Sequence, residues 1–310
     1  MSDAWWLVGA ACLLAVLPWL IGGYYLGVTT KMMIFGLFAA SLNLILGYGG
    51  LASLGHAAYF GIGAYALAKL ATHGVDSFWL QMGLAVCAAV VTAALFGLLI
   101  LRARGAYLLM ITLALAQILW GVAYGWRDYT GGDDGIPGLK RPSRHFPWNL
   151  TDDIGFYYMV FAVFCVLMFC LRVLIHSPFG RALVGIRENE RRMLVLGYNV
   201  WLYKYVACIL AGLLAGVAGG LMTWQAGFAG PSYLSVAYSA TALIMVILGG
   251  AGTFAGPLIG AFVIVGLENF VSGYTDRWVL VLGVTYVIVT LFAPQGLVGL
   301  YLGRVRRSIQ

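Results

Sequence analysis

The sequence has 310 residues, of which 62% are apolar and only 9% carry a charge, against about 25% charged in ordinary soluble proteins. Together with a mean hydropathy of +0.93, this composition excludes a soluble, disordered or fibrous protein and places nearly the whole chain in a lipid bilayer. We attribute the net charge of +7 to the basic loops of a membrane protein, and we predict no nucleic-acid partner because no soluble segment carries a large basic stripe.

A window of about twenty residues picks out ten apolar segments, and each must be helical because an open backbone in lipid leaves its N–H and C=O groups unsatisfied. The sequence therefore predicts an all-α, polytopic membrane protein of about ten transmembrane helices, with a range of eight to eleven. The Leu51 segment is rich in glycine and the Ser239 segment is short, so some helices are expected to be broken or re-entrant. The segments are Trp5–Leu26, Met32–Gly47, Leu51–Leu70, Phe78–Leu101, Ala106–Tyr124, Ile154–Leu174, Tyr205–Trp224, Ser239–Leu248, Thr253–Asn269 and Arg277–Leu291.

The glycine-rich segment 47–64, GYGGLASLGHAAYFGIGA, is the most unusual piece of this membrane sequence. Ser53 and His56 lie three residues apart and are expected to share a helix face. An intramembrane serine hydrolase is disfavoured, because the GxSxG elbow and an intramembrane aspartate are both missing. Two interpretations remain. The glycines form a small-residue face for close helix packing, or glycine-broken helices expose backbone donors that hold a carboxylate.

A second glycine-rich segment, GGAGTFAGPLIGA at 249–261, repeats the pattern Gly-Gly-x-x-Ser/Thr that is found at Gly49–Ser53. Paired interruptions in the two halves of a transporter point to its transport pathway. We therefore predict that polar residues beside the glycine-broken helix ends form the substrate pathway. They are Asn43, Ser53, His56, Tyr59 and Thr253.

Two segments hold most of the charge and differ in sign. Residues 125–153 carry four basic and five acidic side chains, a net charge of −1, whereas 175–204 carry five basic and two acidic ones, a net charge of +3. The positive-inside rule places 175–204 in the cytoplasm and makes 125–153 an extracytoplasmic loop. With ten spans, both termini are then cytoplasmic. Lys31 and Lys69 fall on the outer side, where snorkelling at helix ends would explain them.

Within the cytoplasmic segment, residues 177–197 predict one short amphipathic helix parallel to the membrane. Ser177 and Pro178 form a favourable N-cap and first turn, and Gly197 marks the stop. Apolar residues recur at a helical spacing, and arginine and glutamate supply a polar side. From these features alone, a helix that only lies in the lipid headgroups is the alternative to a functional contact.

The chain contains no GxxxxGK phosphate-binding loop, no HExxH and no CxxC pair, and its five cysteines all fall inside apolar runs. We therefore predict no ATPase site, no catalytic residue and no metal site in this chain. A stand-alone carrier driven by an ion gradient would need an intramembrane acid pair or a proton relay. Only Glu268, expected at a solvated helix end near Asn269, is a candidate.

Three blocks of the sequence resemble the membrane permease subunits of branched-chain amino acid ABC importers, specifically the LivM-type subunit. They are 47–64, SPFGRALVGIRENERRMLVLGYNVWLYK from Ser177, and GGAGTFAGPLIG from Gly249. The resemblance implies one transmembrane permease domain over 1–310, in the bacterial cytoplasmic (inner) membrane, that imports branched-chain or other hydrophobic amino acids by alternating access. Importers of urea share this architecture, so urea or another small carboxylic acid or amide is an alternative cargo.

The resemblance also implies partners: a LivH-type sister permease, two ABC ATPase subunits of LivF and LivG type, an extracytoplasmic solute-binding protein, and membrane lipid. ATP is then used by the partner subunits, and this chain binds no cofactor. Residues 175–204 match the family's ATPase-docking loop. One departure is the basic run after Glu190, where the family usually has small residues. The implied coupling residues are Arg181, Arg187, Glu188, Glu190, Arg191 and Gly197.

Overall fold

The computed structural model describes residues 9, 12–103, 105–142, 150–274, 280, 283, 284, 287 and 296–299. Within these ranges the chain is almost entirely helical, with one short antiparallel pair of strands, β1 (Ile136–Pro137) and β2 (Phe228–Ala229). A five-residue π-helical turn, Leu44–Tyr48, continues the first α-helix. The α-helices are α1 (Gly23–Asn43), α2 (Ala57–Thr72), α3 (Phe78–Ile100), α4 (Ala106–Gly125), α5 (Arg127–Thr130), α6 (Asp153–His176), α7 (Pro178–Glu188), α8 (Glu190–Val195), α9 (Val200–Ala226), α10 (Val236–Gly249) and α11 (Gly256–Ser272).

Five helices of the described part are long and apolar enough to cross a membrane: α1 with its π-helical turn, α3, α4, α6 and α9. The prediction of an all-α, polytopic membrane protein is thereby confirmed. The count of ten stays a prediction, because part of Trp5–Leu26 and most of Arg277–Leu291 lie outside the described residues. The boundary between the first two predicted segments is wrong, since α1 starts at Gly23 after the extended backbone of Gly22.

Of the remaining predicted segments, the Leu51 segment contains a break, and the Ser239 segment is a short but unbroken helix. Residues 51–56 are not helical, and α2 begins only at Ala57, which confirms the expected break in the Leu51 segment. α10 has only 14 residues, and the 3₁₀ turn Pro231–Leu234 that precedes it packs against α2. This turn therefore places the start of α10 next to α2.

The centre of the bundle is formed by α1 and α9. Their spanning windows are 83% and 78% buried, against 28%, 22% and 28% for α3, α4 and α6. Helices that are apolar all round and buried form the core of a bundle, whereas an exposed apolar face meets lipid or a partner helix. α3 turns Ala89 and Ala93 towards Gly216 and Gly212 of α9, and it exposes Trp79 on its other side.

Glycines let α2 and α9 cross with their backbones in contact. A Cβ added to Gly63 would lie 2.6 Å from the carbonyl oxygen of Gly216, and one added to Gly219 would collide with the carbonyl of Phe60. Close approach of this kind requires small residues. The small-residue interpretation of segment 47–64 is therefore confirmed for Gly63.

The bundle has two ends of different character. At the loop end, which carries residues 126–142, Lys69 Nζ lies 4.1 Å from the ring centroid of Tyr129, and β1 pairs with β2. At the hairpin end, α7 and α8 form a helical hairpin, and α7 packs against α6, α9 and the π-helical turn. α1 connects the two ends, because its first residues share a cavity with Arg141 and the π-helical turn that follows it contacts α7. The two charged segments thus occur at opposite ends, and which end faces the cytoplasm stays a prediction.

Candidate functional site

The two glycine-rich segments meet at the hairpin end, where Asn43 joins them. Asn43 Oδ1 accepts a hydrogen bond from the backbone N–H of Gly252 at 2.9 Å, and its Nδ2 donates to the carbonyl of Thr253 at 2.9 Å. We call residues 43–50 and 249–253 the glycine junction. Two of the predicted pathway residues, Asn43 and Thr253, are therefore in direct contact.

Arg187 of α7 reaches into the glycine junction. Its Nη1 donates a hydrogen bond to the carbonyl of Gly47, and its side chain passes between Gly50 and Gly252. An added Cβ at Gly50 would lie 2.8 Å from Arg187 Cγ, and one at Gly252 would lie 2.8 Å from Nη1. Both glycines also have positive φ, +69° and +77°, so only glycine fits the backbone and leaves room for the arginine. Arg187 is thus exposed, as the predicted polar side of the helix requires, and it also makes a contact with the glycine junction that the sequence did not indicate.

The predicted single helix over 177–197 is also wrong, because the chain forms two helices separated at Asn189. Asn189 has extended backbone angles, φ −155° and ψ 95°, and its side chain accepts a hydrogen bond from the N–H of Arg192. Asparagine is a strong N-cap, so it ends α7 and starts α8. The cap at Ser177 is confirmed by its bond from the Gly180 N–H, and the stop at Gly197 is confirmed by its left-handed backbone, φ +86°.

The α7–α8 hairpin has its own small core and an ion pair to α9. Ile186 and Met193 are buried against Val200. Glu190 Oε2 accepts a hydrogen bond from Lys204 Nζ at 2.9 Å, with the two side chains 32% and 15% exposed. Glu190 therefore fixes the hairpin to α9, a role that the sequence did not indicate.

The outer surface of the hairpin combines charge with exposed apolar groups. Five of the predicted coupling residues are exposed, namely Arg181, Arg187, Glu188, Arg191 and Gly197. Val195 beside them is 89% exposed, although it is apolar. Its neighbours Leu194 and Leu196 are 51% and 64% exposed, and a contiguous exposed apolar patch rimmed by charge is typical of an interaction surface.

The break before α2 has its backbone donors occupied by neighbouring helices. Leu54 N–H donates to Thr112 Oγ1 at 3.2 Å, and Ala57 N–H donates to Ser239 Oγ at 2.9 Å. Ser53 Oγ accepts from the N–H of Gly55 at 3.3 Å. These N–H groups are therefore not open to a carboxylate in this conformation. The expectation that Ser53 and His56 share a helix face is wrong, because 51–56 is not helical.

His56 and Tyr59 lie deep in the core. His56 Nε2 and Ser41 Oγ are 2.7 Å apart, and the ring stacks on Phe38 and meets Tyr59 edge-on, with centroids 5.5 and 5.4 Å away. His56 Nδ1 has no hydrogen-bond partner among the described residues. The site residues Asn43, Ser53, His56, Tyr59 and Thr253 thus form two groups, one at the glycine junction and one in the core, and their part in transport stays a prediction.

Two cavities of the described part lie at the loop end, and neither is lined by the predicted pathway residues. One has a volume of about 380 Å³ and the other about 640 Å³, and Arg141 lines both. Lys31 lines the smaller one, where its Nζ lies 3.0 Å from Glu268 Oε1. The snorkelling interpretation of Lys31 is therefore corrected to an ion pair. Glu268 does lie near a helix end, as predicted, but its partner is 237 positions away, which no local pattern could indicate.

Comparison with known proteins gives consistent similarities. The family model described as "Branched-chain amino acid transport system / permease component" matches residues 24–291. The high-affinity branched-chain amino acid transport permease LivM of Escherichia coli (strain K12) is 28% identical over 94% of this chain and 74% of its own length. BraD of Pseudomonas aeruginosa is 26% identical over 90% of this chain and 94% of its own, and LivH of Escherichia coli (strain K12) is 24% identical over 86% and 91%. No solved structure gives a significant match.

Proposed function

The chain belongs to the family of permease components of branched-chain amino acid transport systems, and we propose that it is the LivM-type membrane subunit of an ABC importer for branched-chain or other hydrophobic amino acids. It contributes the membrane passage and no enzymatic step. Separate ATPase subunits supply the energy. The observation that carries the energy coupling is the contact of Arg187 with the glycine junction, because it joins an exposed surface hairpin to the end of α1, one of the two central helices of the bundle.

The proposed partners follow from the same assignment. A LivH-type sister permease packs against one of the exposed apolar helix faces. Two ATPases, of LivF and LivG type, bind the α7–α8 hairpin through Arg181, Glu188, Arg191 and Val195. An extracytoplasmic solute-binding protein delivers the cargo at the loop end.

The proposed mechanism is alternating access driven from the hairpin. ATP binding draws the ATPases together and moves α7, and Arg187 passes the displacement to the glycine junction. From there it reaches α1 and α11, since Asn43 ties α1 to the turn that precedes α11 at the hairpin end, and Lys31 pairs with Glu268 at the loop end. ATP binding can favour one of the two access states of the permease only if the contacts of the hairpin differ between those states.

The pathway residues remain part of the proposal. Asn43 and Thr253 lie at the junction that would move, and His56 and Tyr59 lie in the core that a passing cargo would have to open. Ser53 lies in the adjacent break. Polar groups placed between helices in a membrane typically mark such a route.

Reconstitution tests the proposal directly. We expect proteoliposomes that contain this chain, the sister permease and both ATPases to take up radiolabelled L-leucine only with internal ATP and the loaded binding protein. Uptake driven by an ion gradient without ATPases would instead support the stand-alone carrier. Competition by urea or short carboxylic acids, but not by leucine, would support the alternative cargoes.

Labelling tests the proposed orientation, in which the hairpin and both termini are cytoplasmic. In a background without the five native cysteines, we expect Val195→Cys to react with an impermeant maleimide only in inverted vesicles. Asp134→Cys, in the exposed loop at the other end, should react in intact cells. The reverse pattern would contradict both the orientation and the binding of cytoplasmic ATPases to the hairpin.

A further inference from the structure

The cavity of about 380 Å³ at the loop end has an apolar wall and a charged wall. Leu26 and Val28 belong to the apolar wall, whereas Lys31, Arg141 and Asp153 form the charged one. Ligand clefts in proteins measure roughly 300 to 1,000 Å³, so this volume suits a small molecule. Apolar lining with a few convergent polar groups is the usual composition of such a site.

Each cation of this cavity is paired with a carboxylate. Lys31 Nζ lies 3.0 Å from Glu268 Oε1, and Arg141 Nη1 lies 2.8 Å from Asp153 Oδ1. Both pairs keep contact with solvent, because the side chains of Lys31 and Glu268 are 26% and 28% exposed and that of Asp153 is 69% exposed. An ion pair with an exposed partner contributes little stability, so Arg141 can exchange Asp153 for a charged ligand at small cost. Lys31 has three N–H donors and can bind a ligand while it keeps its contact with Glu268.

Two side-chain amides add acceptors to the charged wall. Gln225 Nε2 donates to the carbonyl of Gly27 at 3.3 Å, and Asn269 Nδ2 donates to the carbonyl of Val265 at 2.7 Å. Within the described ranges, neither amide oxygen accepts a hydrogen bond. Both oxygens are therefore available to a donor such as an ammonium group.

We propose that this cavity, the loop-end vestibule, binds the free cargo as a zwitterionic α-amino acid with an apolar side chain. The carboxylate pairs with Lys31 and Arg141, and the ammonium group pairs with Asp153 and the two amide oxygens. The side chain of the ligand lies on Leu26 and Val28. This inference rests on the proposed function, in which the cargo is an amino acid. It also gives a reason why an amino acid is preferred over the alternative cargoes. Urea carries neither charge, and a simple carboxylic acid lacks the ammonium group.

Ligand-observed NMR on the full chain in lipid nanodiscs tests the vestibule without ATP or partner subunits. The probes are L-leucine, 3-methylbutylamine, which is leucine without its carboxylate, and 4-methylpentanoate, which lacks the ammonium group. We expect leucine to bind at least about tenfold more tightly than either analogue, because each analogue makes only one of the two sets of charged contacts. Absence of leucine binding, or equal binding of the three probes, would overturn the proposal.

Variants separate binding from a structural role of the ion pairs. Lys31→Met and Arg141→Met should each weaken leucine binding by at least about tenfold. Lys69→Met should leave it unchanged, because Lys69 lies at the same end over Tyr129 and does not line the cavity.

The charge swap Lys31→Glu with Glu268→Lys should restore the thermal stability of the chain but not leucine binding, since the two charges then face the ligand in reverse. Full recovery of leucine binding in this double variant would mean that the pair of Lys31 and Glu268 has only a structural role. Leucine binding in nanodiscs together with failed ATP-dependent uptake would count against the proposed function and not against the vestibule.

Discussion

Replacing Arg187 by alanine is expected to lower ATP-driven leucine uptake by at least about tenfold while the chain still folds and assembles. The side chain makes the hydrogen bond between the α7–α8 hairpin and the carbonyl of Gly47. A hydrogen bond from a charged donor contributes roughly 1.5 to 3 kcal/mol, which corresponds to about 10- to 150-fold in an equilibrium between two states. Because Arg187 is otherwise exposed, its removal leaves no cavity in the core. The measurement is the initial uptake rate in proteoliposomes, together with ATP hydrolysis stimulated by the loaded binding protein.

Arg192→Ala is the matched control for this experiment. It removes an exposed arginine from the same hairpin, where the backbone N–H of Arg192 makes the cap contact with Asn189. We expect uptake within about twofold of the unmodified chain, as is usual for surface substitutions. Arg187→Lys should retain part of the coupling, because an ammonium group can still donate to Gly47 but lacks the planar fork. Equal losses in Arg187→Ala and Arg192→Ala would contradict a specific role for Arg187.

The membrane class and most helices could be predicted from the sequence, because spans in lipid require long apolar helices and composition reports them directly. Breaks were harder to place. The glycine content of 47–64 indicated that a helix is interrupted, but not that the interruption covers 51–56. Its position is set by partners from other helices, since Thr112 and Ser239 satisfy the free N–H groups there. No pattern inside the segment contains that information.

In the candidate site, too, features set by the local sequence could be predicted and features set by distant contacts could not. Ser177 and Gly197 were predicted correctly because capping depends on local backbone geometry. Asn189 followed by Glu190 is also a local cap signal, and it was missed because the apolar spacing favoured one continuous helix. The contact of Arg187 with Gly47 joins residues 140 positions apart, so only the tertiary structure brings it out.

The largest effect on stability is expected at the crossing of α2 and α9. We expect Gly219→Val to abolish accumulation of the folded chain and Gly219→Ala to lower its midpoint of thermal unfolding. A Cβ at Gly219 would collide with the carbonyl of Phe60 and lie 3.2 Å from the backbone nitrogen of Ala64. Overpacking costs about 1 to 3 kcal/mol where side chains can adjust, and the cost here lies at the upper end because both obstacles are backbone atoms. Fluorescence-detected size exclusion after heating measures both variants.

Gly83→Val in α3 distinguishes this backbone crossing from a general effect of valine in a membrane helix. No atom lies within 4 Å of a Cβ added to Gly83, so the same side chain meets open space there. Helix association in lipid depends on close packing of small residues, since apolar groups gain nothing by leaving a hydrocarbon solvent. The stability difference between Gly219→Val and Gly83→Val therefore measures the crossing itself. Similar unfolding temperatures for the two variants would mean that α2 and α9 do not pack with their backbones in contact, and the central position of α9 would then have to be revised.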